Sequence, residues 1–311
     1  MDPAIILFGF GIGAMVGMTG MGGGTLMTPL LILLFGVKPV TAIGTDIFYA
    51  AVTKTVGGWR HLRMGTVNIS LALWLAAGSV PASVTGVWAI SVLQSKIGEE
   101  KLDSIVYALL GGTLLMVGII TLARAFILSN LIEEREDFVI ERRHKIAAVA
   151  IGATTGFVIG ITSAGSGTVI AILLISVYRL VPRKVVGTDV FHAAILLWAA
   201  GIAHWVGGNV DFFLAGNILL GSIPGVIVGS HFAARAPTGF LRTALGVVLV
   251  ASGIVTVQKG DPLVWPIAAA VAGIGLGLLI WFPRWWSARR ADREAKQGID
   301  RSSELAPETI G

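Results

Sequence analysis

The sequence predicts an all-α polytopic membrane protein, and three observations carry that expectation. Of 311 residues, 55% are hydrophobic and 13% charged, against about a quarter charged in an ordinary soluble domain. Apolar segments of span length recur at residues 4–36, 40–58, 68–93, 102–128, 146–178, 185–203, 212–234, 240–257 and 262–282, and about 20 apolar residues suffice to cross a bilayer as helix. Finally, the chain repeats itself.

A shift of 143 positions aligns the two halves without a gap. Gly17-x-Thr19 meets Gly160-x-Thr162, and Gly22-x-Gly24-Thr25 meets Gly165-x-Gly167-Thr168. Pro39 meets Pro182, and Gly44-Thr45-Asp46-x-Phe48 meets Gly187-Thr188-Asp189-x-Phe191. His61 meets His204, Gly65 meets Gly208, and Gly78-Ser79-x-Pro81 meets Gly221-Ser222-x-Pro224. Matching apolar residues would mean little in such a chain. Matching Gly, Pro, Asp and His in one register signals duplication. The expected organisation is a first repeat at 1–128, a charged linker at 129–145, a second repeat at 146–258, an extra helix at 262–282 and a polar tail at 283–311.

Segments 4–36 and 146–178 are too long for one plain crossing. About 30 helical residues reach ~45 Å, against a hydrocarbon core of ~30 Å. Each is also interrupted, at Gly20–Gly24 and at Ser163–Gly167. They read either as tilted single helices or as re-entrant hairpins, and irregular backbone at depth needs protein or a wet cavity around it. Charge decides. With Lys54 set aside as intramembrane, single crossings divide Lys and Arg 8 against 14 between the faces, and hairpins divide them 4 against 18. The positive-inside rule prefers the hairpins. Each half is then a four-segment unit, a broken helical hairpin plus three spanning helices. Three crossings are an odd number, so the second half is inverted. The N-terminus is expected outside and the C-terminus in the cytoplasm. Met1-Asp2-Pro3 lacks the basic region of a cleaved signal.

Inverted repeats with broken helices place a binding site near the midplane in many secondary transporters. Helices are expected to start at Gly24-Thr25 and Gly167-Thr168. Their first N–H groups lack internal partners and carry partial positive charge. Gly22, Gly23, Gly24, Gly165 and Gly167 would let a small anion approach the backbone. Thr19, Thr25, Thr162, Ser163, Ser166 and Thr168 would add hydroxyl donors. The competing reading is that these glycines serve helix packing.

Asp46, Lys54 and Asp189 lie inside apolar segments, where charge is expensive and commonly functional. Lys54 aligns with Leu197 and so breaks the symmetry; it could complete an anion site, while the two aspartates could carry protons or a coupling cation. The structural alternatives are an Asp46–Lys54 pair and aspartates bonded to their own hairpin tips. His61, His192 and His204 are further coupling candidates, since histidine titrates near neutrality. Trp281, Trp285 and Trp286 read as an interfacial anchor. No cysteine is present, which excludes disulfides and thiolate chemistry. No nucleotide-binding, hydrolase or metal-binding motif is found, so neither cofactor nor enzymatic activity is expected. The net charge of +5 is read as loop anchoring at the lipid surface, and nucleic acid is not an expected partner. A homo-oligomer is left open.

The same residues resemble the TauE/SafE sulfite-exporter family of membrane transporters. The resemblance covers about residues 5–258. It rests on G-M-T-G-M-G-G-G-T at 17–25, G-T-D at 44–46 and 187–189, H-L-R-M-G-T-V-N at 61–68 and G-S-I-P-G-V-I-V-G-S at 221–230. It implies a secondary transporter, without an ATP-binding subunit, that exports sulfite, organosulfonates or other small anions across the cell membrane. The family pattern often has Ser where this chain has Asp46 and Asp189. The alternatives from other classes are a passive anion channel and a membrane-embedded enzyme using the two aspartates as acid and base.

Overall fold

The computed structural model describes residues 1–19, 24–126, 140–233 and 238–277. Every regular element among them is helical. The helices are α1 (Pro3–Thr19), α2 (Gly24–Phe35), α3 (Pro39–Arg63), α4 (Ile69–Ile97), α5 (Glu99–Phe126), α6 (Arg142–Thr162), α7 (Ser166–Leu173), α8 (Pro182–Val206), α9 (Phe212–Ala233) and α10 (Thr238–Lys259). A π-helical turn, Leu174–Tyr178, continues α7. A last apolar helix, α11 (Pro262–Gly277), opens with a 3-10 turn. Among the described residues five helices, α4, α5, α6, α8 and α9, are long and apolar enough to cross a membrane. The Trp anchor at 281–286 and most of the linker lie outside the described residues; α6 already begins at Arg142.

The element boundaries repeat at the spacing of 143. Pro39 and Pro182 start α3 and α8, and Ile69 and Phe212 start α4 and α9. Proline suits a first helical position, where its missing N–H has no partner to lose. Asn68 caps α4 by accepting the Leu71 N–H at 3.1 Å, and Asp211 caps α9 through the Leu214 N–H at 2.9 Å. Gly65 (φ 66°) and Gly208 (φ 72°) make equivalent left-handed turns. Gly36 (φ 64°) has Arg179 (φ 56°) as its equivalent, so the turn persists in the second half without the residue that adopts it freely.

Helices pair mainly across the halves: α1 packs on α9, α6 on α4, α3 on α8 and α5 on α10. Exchanging the halves leaves this set of pairs unchanged. Gly9, Gly13 and Gly17 of α1 lie against Ile218, Ser222 and Val226 of α9. Their equivalents Gly152, Gly156 and Gly160 of α6 lie against Leu75, Ser79 and Ser83 of α4. At each, a Cβ would collide with backbone of the facing helix. Small residues every fourth position let these helices touch backbone to backbone.

The same contacts give directions. α1 runs parallel to α9, and α6 parallel to α4, because residue numbers rise together along each pair. α3 and α8 are antiparallel: Gly57 and Gly58 face Val190 and Phe191, while Gly201 faces Phe48. α5 and α10 are antiparallel, with Gly111 facing Gly253 and Gly118 facing Gly246. α3 and α9 run together, with Gly44 beside Asn209 and Tyr49 near Ser222. Thus α1 and α3 point the same way, with α2 between them.

One end of the bundle gathers Asp2 with Asn217, Lys38 with Glu99, Lys259 with Ile32 and Asp261 with Ser104. The other gathers Asn68 with Thr188 and Tyr178 with His144. At this second end Arg63 stacks on Trp59 and Lys145 approaches Trp74. The core between is apolar, with Met27, Leu31, Ile43, Ile47, Leu75 and Leu114 among its fully buried side chains.

Candidate functional site

The Gly-Thr-Asp triplets sit in the second turn of α3 and α8, and each residue has its own task. Gly44 and Gly187 lie against the Asn209 and Thr66 carbonyls, equivalent loop positions of the opposite half. The Thr45 hydroxyl accepts the Asp211 N–H and the Thr188 hydroxyl accepts the Asn68 N–H, both at 3.0 Å. These bonds seat the start of α9 on α3 and the start of α4 on α8. The aspartates then face inward, wholly buried at Asp46 and nearly so at Asp189.

Their surroundings differ. The Asp46 Oδ2 atom accepts the Thr28 hydroxyl of α2 at 2.5 Å and the Ser163 hydroxyl at 2.9 Å. Ser163 follows α6 in the left-handed region, φ 57°, at the break before α7. Asp189 has neither hydroxyl, because the equivalents of Thr28 and Ser163 are Ala171 and Gly20. It has an ion-pair contact instead: Lys54 Nζ lies 3.8 Å from Asp189 Oδ2. The alternative of an Asp46–Lys54 pair is thus not the one formed; the lysine reaches across to α8. Antiparallel packing of α3 on α8 makes that reach short, whereas Asp46 is eight residues away along the same helix. Oδ1 of both aspartates is buried without a hydrogen bond among the described residues.

Asp46 lies seven residues, about 10 Å of helix, from the start of α3, and Asp189 equally far from the start of α8. Since α3 and α8 are antiparallel, the two acids are near opposite ends. Asp189 stands nearly level with Gly57 and Gly58, about 17 Å along α3 from Asp46. Paired acid–base carboxylates work within about 10 Å of each other, so this separation disfavours a two-aspartate enzyme.

The second break is described in full. Gly165, at φ 98°, caps α7, which starts at Ser166, one residue before the expected Gly167-Thr168. Thr162 bonds the Val158 carbonyl at 2.8 Å and accepts the Ala164 N–H at 3.3 Å, closing the turn. Thr168 is buried and Gly167 half-buried within α7. In the first half, α2 is described from Gly24 onward. Gly22 and Gly23 lie outside the described residues, as do the side chains of Thr19, Thr25 and Ser166.

The histidines are placed differently from one another. His192 Nε2 is 2.8 Å from the Ser79 hydroxyl; the equivalent residues, Tyr49 and Ser222, are polar neighbours, with the Ser222 hydroxyl donating to the Leu219 carbonyl at 3.3 Å. His204 is wholly buried, with Nε2 bonded to the Gly160 carbonyl at 2.9 Å; it is packed on the end of α6. His61 is half-buried, 2.9 Å from the Thr66 hydroxyl. Sequence reasoning missed Thr28 and Ser79. Ser79 stood in the repeated Gly-Ser-x-Pro; Thr28 has no polar equivalent to signal it.

A cavity of about 510 Å³ lies between α5, α6, α7 and α11, lined by Thr113, Met116, Thr155, Ile159, Gly165 and Ile267 among others. No ionisable side chain lines it, and an apolar chamber offers an anion nothing in place of water.

The model of the sulfite exporter TauE/SafE family matches residues 5–256. The chain belongs to this family. It is 37% identical over 254 residues to a probable membrane transporter protein, YjnA, of Bacillus subtilis, covering 82% of this chain and 99% of that protein. A second Bacillus subtilis protein, the probable membrane transporter YdhB, is 29% identical over 80% of this chain and 98% of its own. A probable membrane transporter of Methanocaldococcus jannaschii, MJ0441, is 27% identical over 55% of this chain and 61% of its own. No solved structure matches. The chain is thus a membrane transporter of the TauE/SafE family by its relatives, and its bundle of apolar helices accords with that.

Proposed function

We propose that the protein is a secondary active transporter of a small anion, sulfite or an organosulfonate, in the bacterial inner membrane. The observation that carries this reading is the Thr28–Asp46–Ser163 junction, where the broken helix of one half meets an intramembrane acid of the other. Unwound backbone at depth is tolerated where it lines a site. Thr162, Ser163, Gly165, Ser166, Gly167 and Thr168 form one side of that site, and Thr19, Gly22, Gly23, Gly24 and Thr25 the equivalent side, with Lys54 between the halves. Asp46 and Asp189 couple transport to protons, with His61, His192 and His204 as further titratable groups in the bundle.

The halves are inverted repeats, each a re-entrant hairpin with three crossings, and α11 is the extra helix. The parallel course of α1 and α3, with α2 between, supports the hairpin reading: one crossing by α1 and α2 together would make α3 run against α1. The end of the bundle bearing Arg63, Arg142, Arg143, Lys145 and Arg183 faces the cytoplasm by the positive-inside rule. Two equivalent acids near opposite ends suit alternating access, each governing one opening.

The test is flux of labelled sulfite and methanesulfonate into liposomes of the purified protein, with and without a pH gradient. Uphill accumulation driven by the gradient is expected. Flux that only ever follows the anion's own gradient would make the protein a passive channel.

A further inference from the structure

Lys54 and Asp189 form a buried pair with unused capacity on both sides. Their side chains are 9% and 7% exposed. At 3.8 Å the contact is longer than a hydrogen bond, which needs about 3.2 Å or less. An ammonium has three donors, and among the described residues Lys54 has no other polar partner. Asp189 Oδ1 is buried with no hydrogen bond among the described residues. A pair kept only for structure would be expected to close to bonding distance and satisfy its remaining atoms.

The repeat sharpens this. Asp46, at the equivalent position, is held by two hydroxyls and has Leu197 where Asp189 has Lys54. Among the described residues Lys54 is thus the one buried ammonium, and it is held by one carboxylate oxygen.

We propose that the Asp189 carboxylate occupies the place of the transported anion on Lys54, and that anion and proton bind together by exchange at this one ammonium. The proposal rests on the anion-transport reading above. In the empty state Lys54 holds Asp189. On loading, a proton from water bonds to an Asp189 oxygen, the neutral acid leaves Lys54, and the anion takes its place. The site has the same net charge before and after, so one proton accompanies each monovalent anion and the loaded site carries no net charge across. An anion arriving without the proton would leave two negative groups on one cation. A proton arriving without the anion would leave a buried ammonium unpaired, which is costly. Each ligand therefore assists the other, as linkage requires.

Among the described residues, the other titratable groups that feel the Lys54 charge are His192 on α8 and His61 on α3. His192 is committed to Ser79 and His61 to Thr66. α4, packed on α8, has no ionisable side chain before Lys96; α9, packed on α3, has only His231, near its far end; α5, packed on α3, has Glu99, Glu100, Lys101, Asp103 and Tyr107 toward its start and Arg124 at its end; α2 and α7 have none.

The test uses methanesulfonate and sulfate, whose charges are fixed between about pH 5 and 8. Proton uptake on anion binding is measured for the full chain in detergent at weak buffering, and flux is measured in liposomes with a lumenal pH dye. The parent should take up about one proton per methanesulfonate, and flux should be insensitive to voltage. Asp189→Asn should still bind methanesulfonate, with proton uptake lost, affinity independent of pH and flux now voltage-sensitive. Because Lys54→Met leaves a buried acid alone and could fail to fold, the double variant Lys54→Met/Asp189→Asn is made as well. It should fold and show at least a tenfold loss of anion binding. Parental transport by the double variant, or unchanged proton uptake in Asp189→Asn, would overturn the exchange while leaving anion transport standing. A parent that moves no anion overturns the transport reading and this proposal together.

Discussion

Ser163 donates its hydroxyl to Asp46 across 117 positions of sequence, at 2.9 Å. The donor is in the break of one half and the acceptor in the second turn of α3 in the other. The hairpin tip of the second half is thereby fixed about 10 Å from the start of α3. That start is at the end of the bundle opposite the α6 N-terminus, so the hairpin reaches well past the middle.

Removing this bond should loosen the tip without unfolding the bundle. Ser163→Ala deprives a buried carboxylate oxygen of one of its two donors, a loss of about 1–3 kcal/mol. Thr28→Ala should cost the same. Asp46→Asn keeps an acceptor for both hydroxyls, so it should insert normally and lose gradient-driven flux. Thermal unfolding in detergent, read beside liposome flux, separates the effects. Full coupled flux in Asp46→Asn would remove Asp46 from the mechanism.

Two kinds of glycine should respond differently. Gly13 and Gly156 are packing residues, equivalent in the repeat, each with the backbone of the facing helix where a side chain would go. Gly13→Val and Gly156→Val should separate α1 from α9 and α6 from α4, giving aggregated or degraded protein. At Gly165 a Cβ would meet only ordinary contacts, the nearest being Val117 at 3.6 Å. The obstacle there is backbone, at φ 98°. Gly165→Ala should yield folded protein, destabilised by about 1–3 kcal/mol, with impaired transport. Size-exclusion profiles and flux together check both.

Much of this was legible because duplication writes each feature twice. The break at 163–165, the prolines opening α3 and α8, and the paired turns at Gly65 and Gly208 all follow from one shift of 143. The partners of the charges were hidden. Helical spacing identifies which residues share a face, and it says nothing of which helix stands opposite. Lys54 meets Asp189, and Asp46 meets Ser163, only because the halves pack on each other and not on themselves. The start of α7 at Ser166 was likewise set by the turn at Gly165, whose left-handed backbone is visible only in three dimensions.

The topology makes a labelling prediction. Lys38 and Glu99 are paired at 2.7 Å, so the loops at 38 and 98 share one end of the bundle, and Thr66 and Val181 are at the other. In this cysteine-free chain, single cysteines at 38 and 98 should react with an impermeant reagent from outside. Those at 66 and 181 should react only after the membrane is opened. Opposite accessibility at 38 and 98 would contradict the fold.

The Lys38–Glu99 pair itself should contribute little. Its side chains are 66% and 61% exposed, and exposed pairs are weak. The hydrogen bond and charge of Lys38 hold the Glu99 carboxyl below its ordinary range, and Glu99 raises the Lys38 ammonium. The Glu99 contribution is therefore present above the ordinary carboxylate value and is lost as pH falls through the depressed one. The Lys38 contribution is present below the ordinary lysine value and is lost as pH rises through the raised one. Between these limits the bridge is constant. Lys38→Gln should show no resolved change in thermal stability from mildly acidic to neutral pH, and any change at low salt should vanish at high salt.

The last prediction separates structural from coupling histidines. His192 is bonded to Ser79, and Tyr49 and Ser222 are polar neighbours at the equivalent place between the equivalent helix pair. Both side chains are buried, His192 at 0% and Tyr49 at 2% exposure. A tyrosine cannot titrate near neutrality, yet it does the same bracing work in the first half. The shared role is thus a polar cross-link that keeps α4 on α8 and α9 on α3. Tyr49→His, which shrinks a buried ring and keeps a polar group beside Ser222, should insert and transport within a few-fold of the parent. His192→Tyr crowds a fully buried position, at about 1–3 kcal/mol, but should keep the Ser79 bond and the pH dependence of flux. His192→Phe removes the bond and leaves the Ser79 hydroxyl buried alone, so it should be the least stable of the three. If His192→Tyr folds and its flux loses all pH dependence, His192 is a proton carrier, and the resemblance of the two cross-links is one of geometry only.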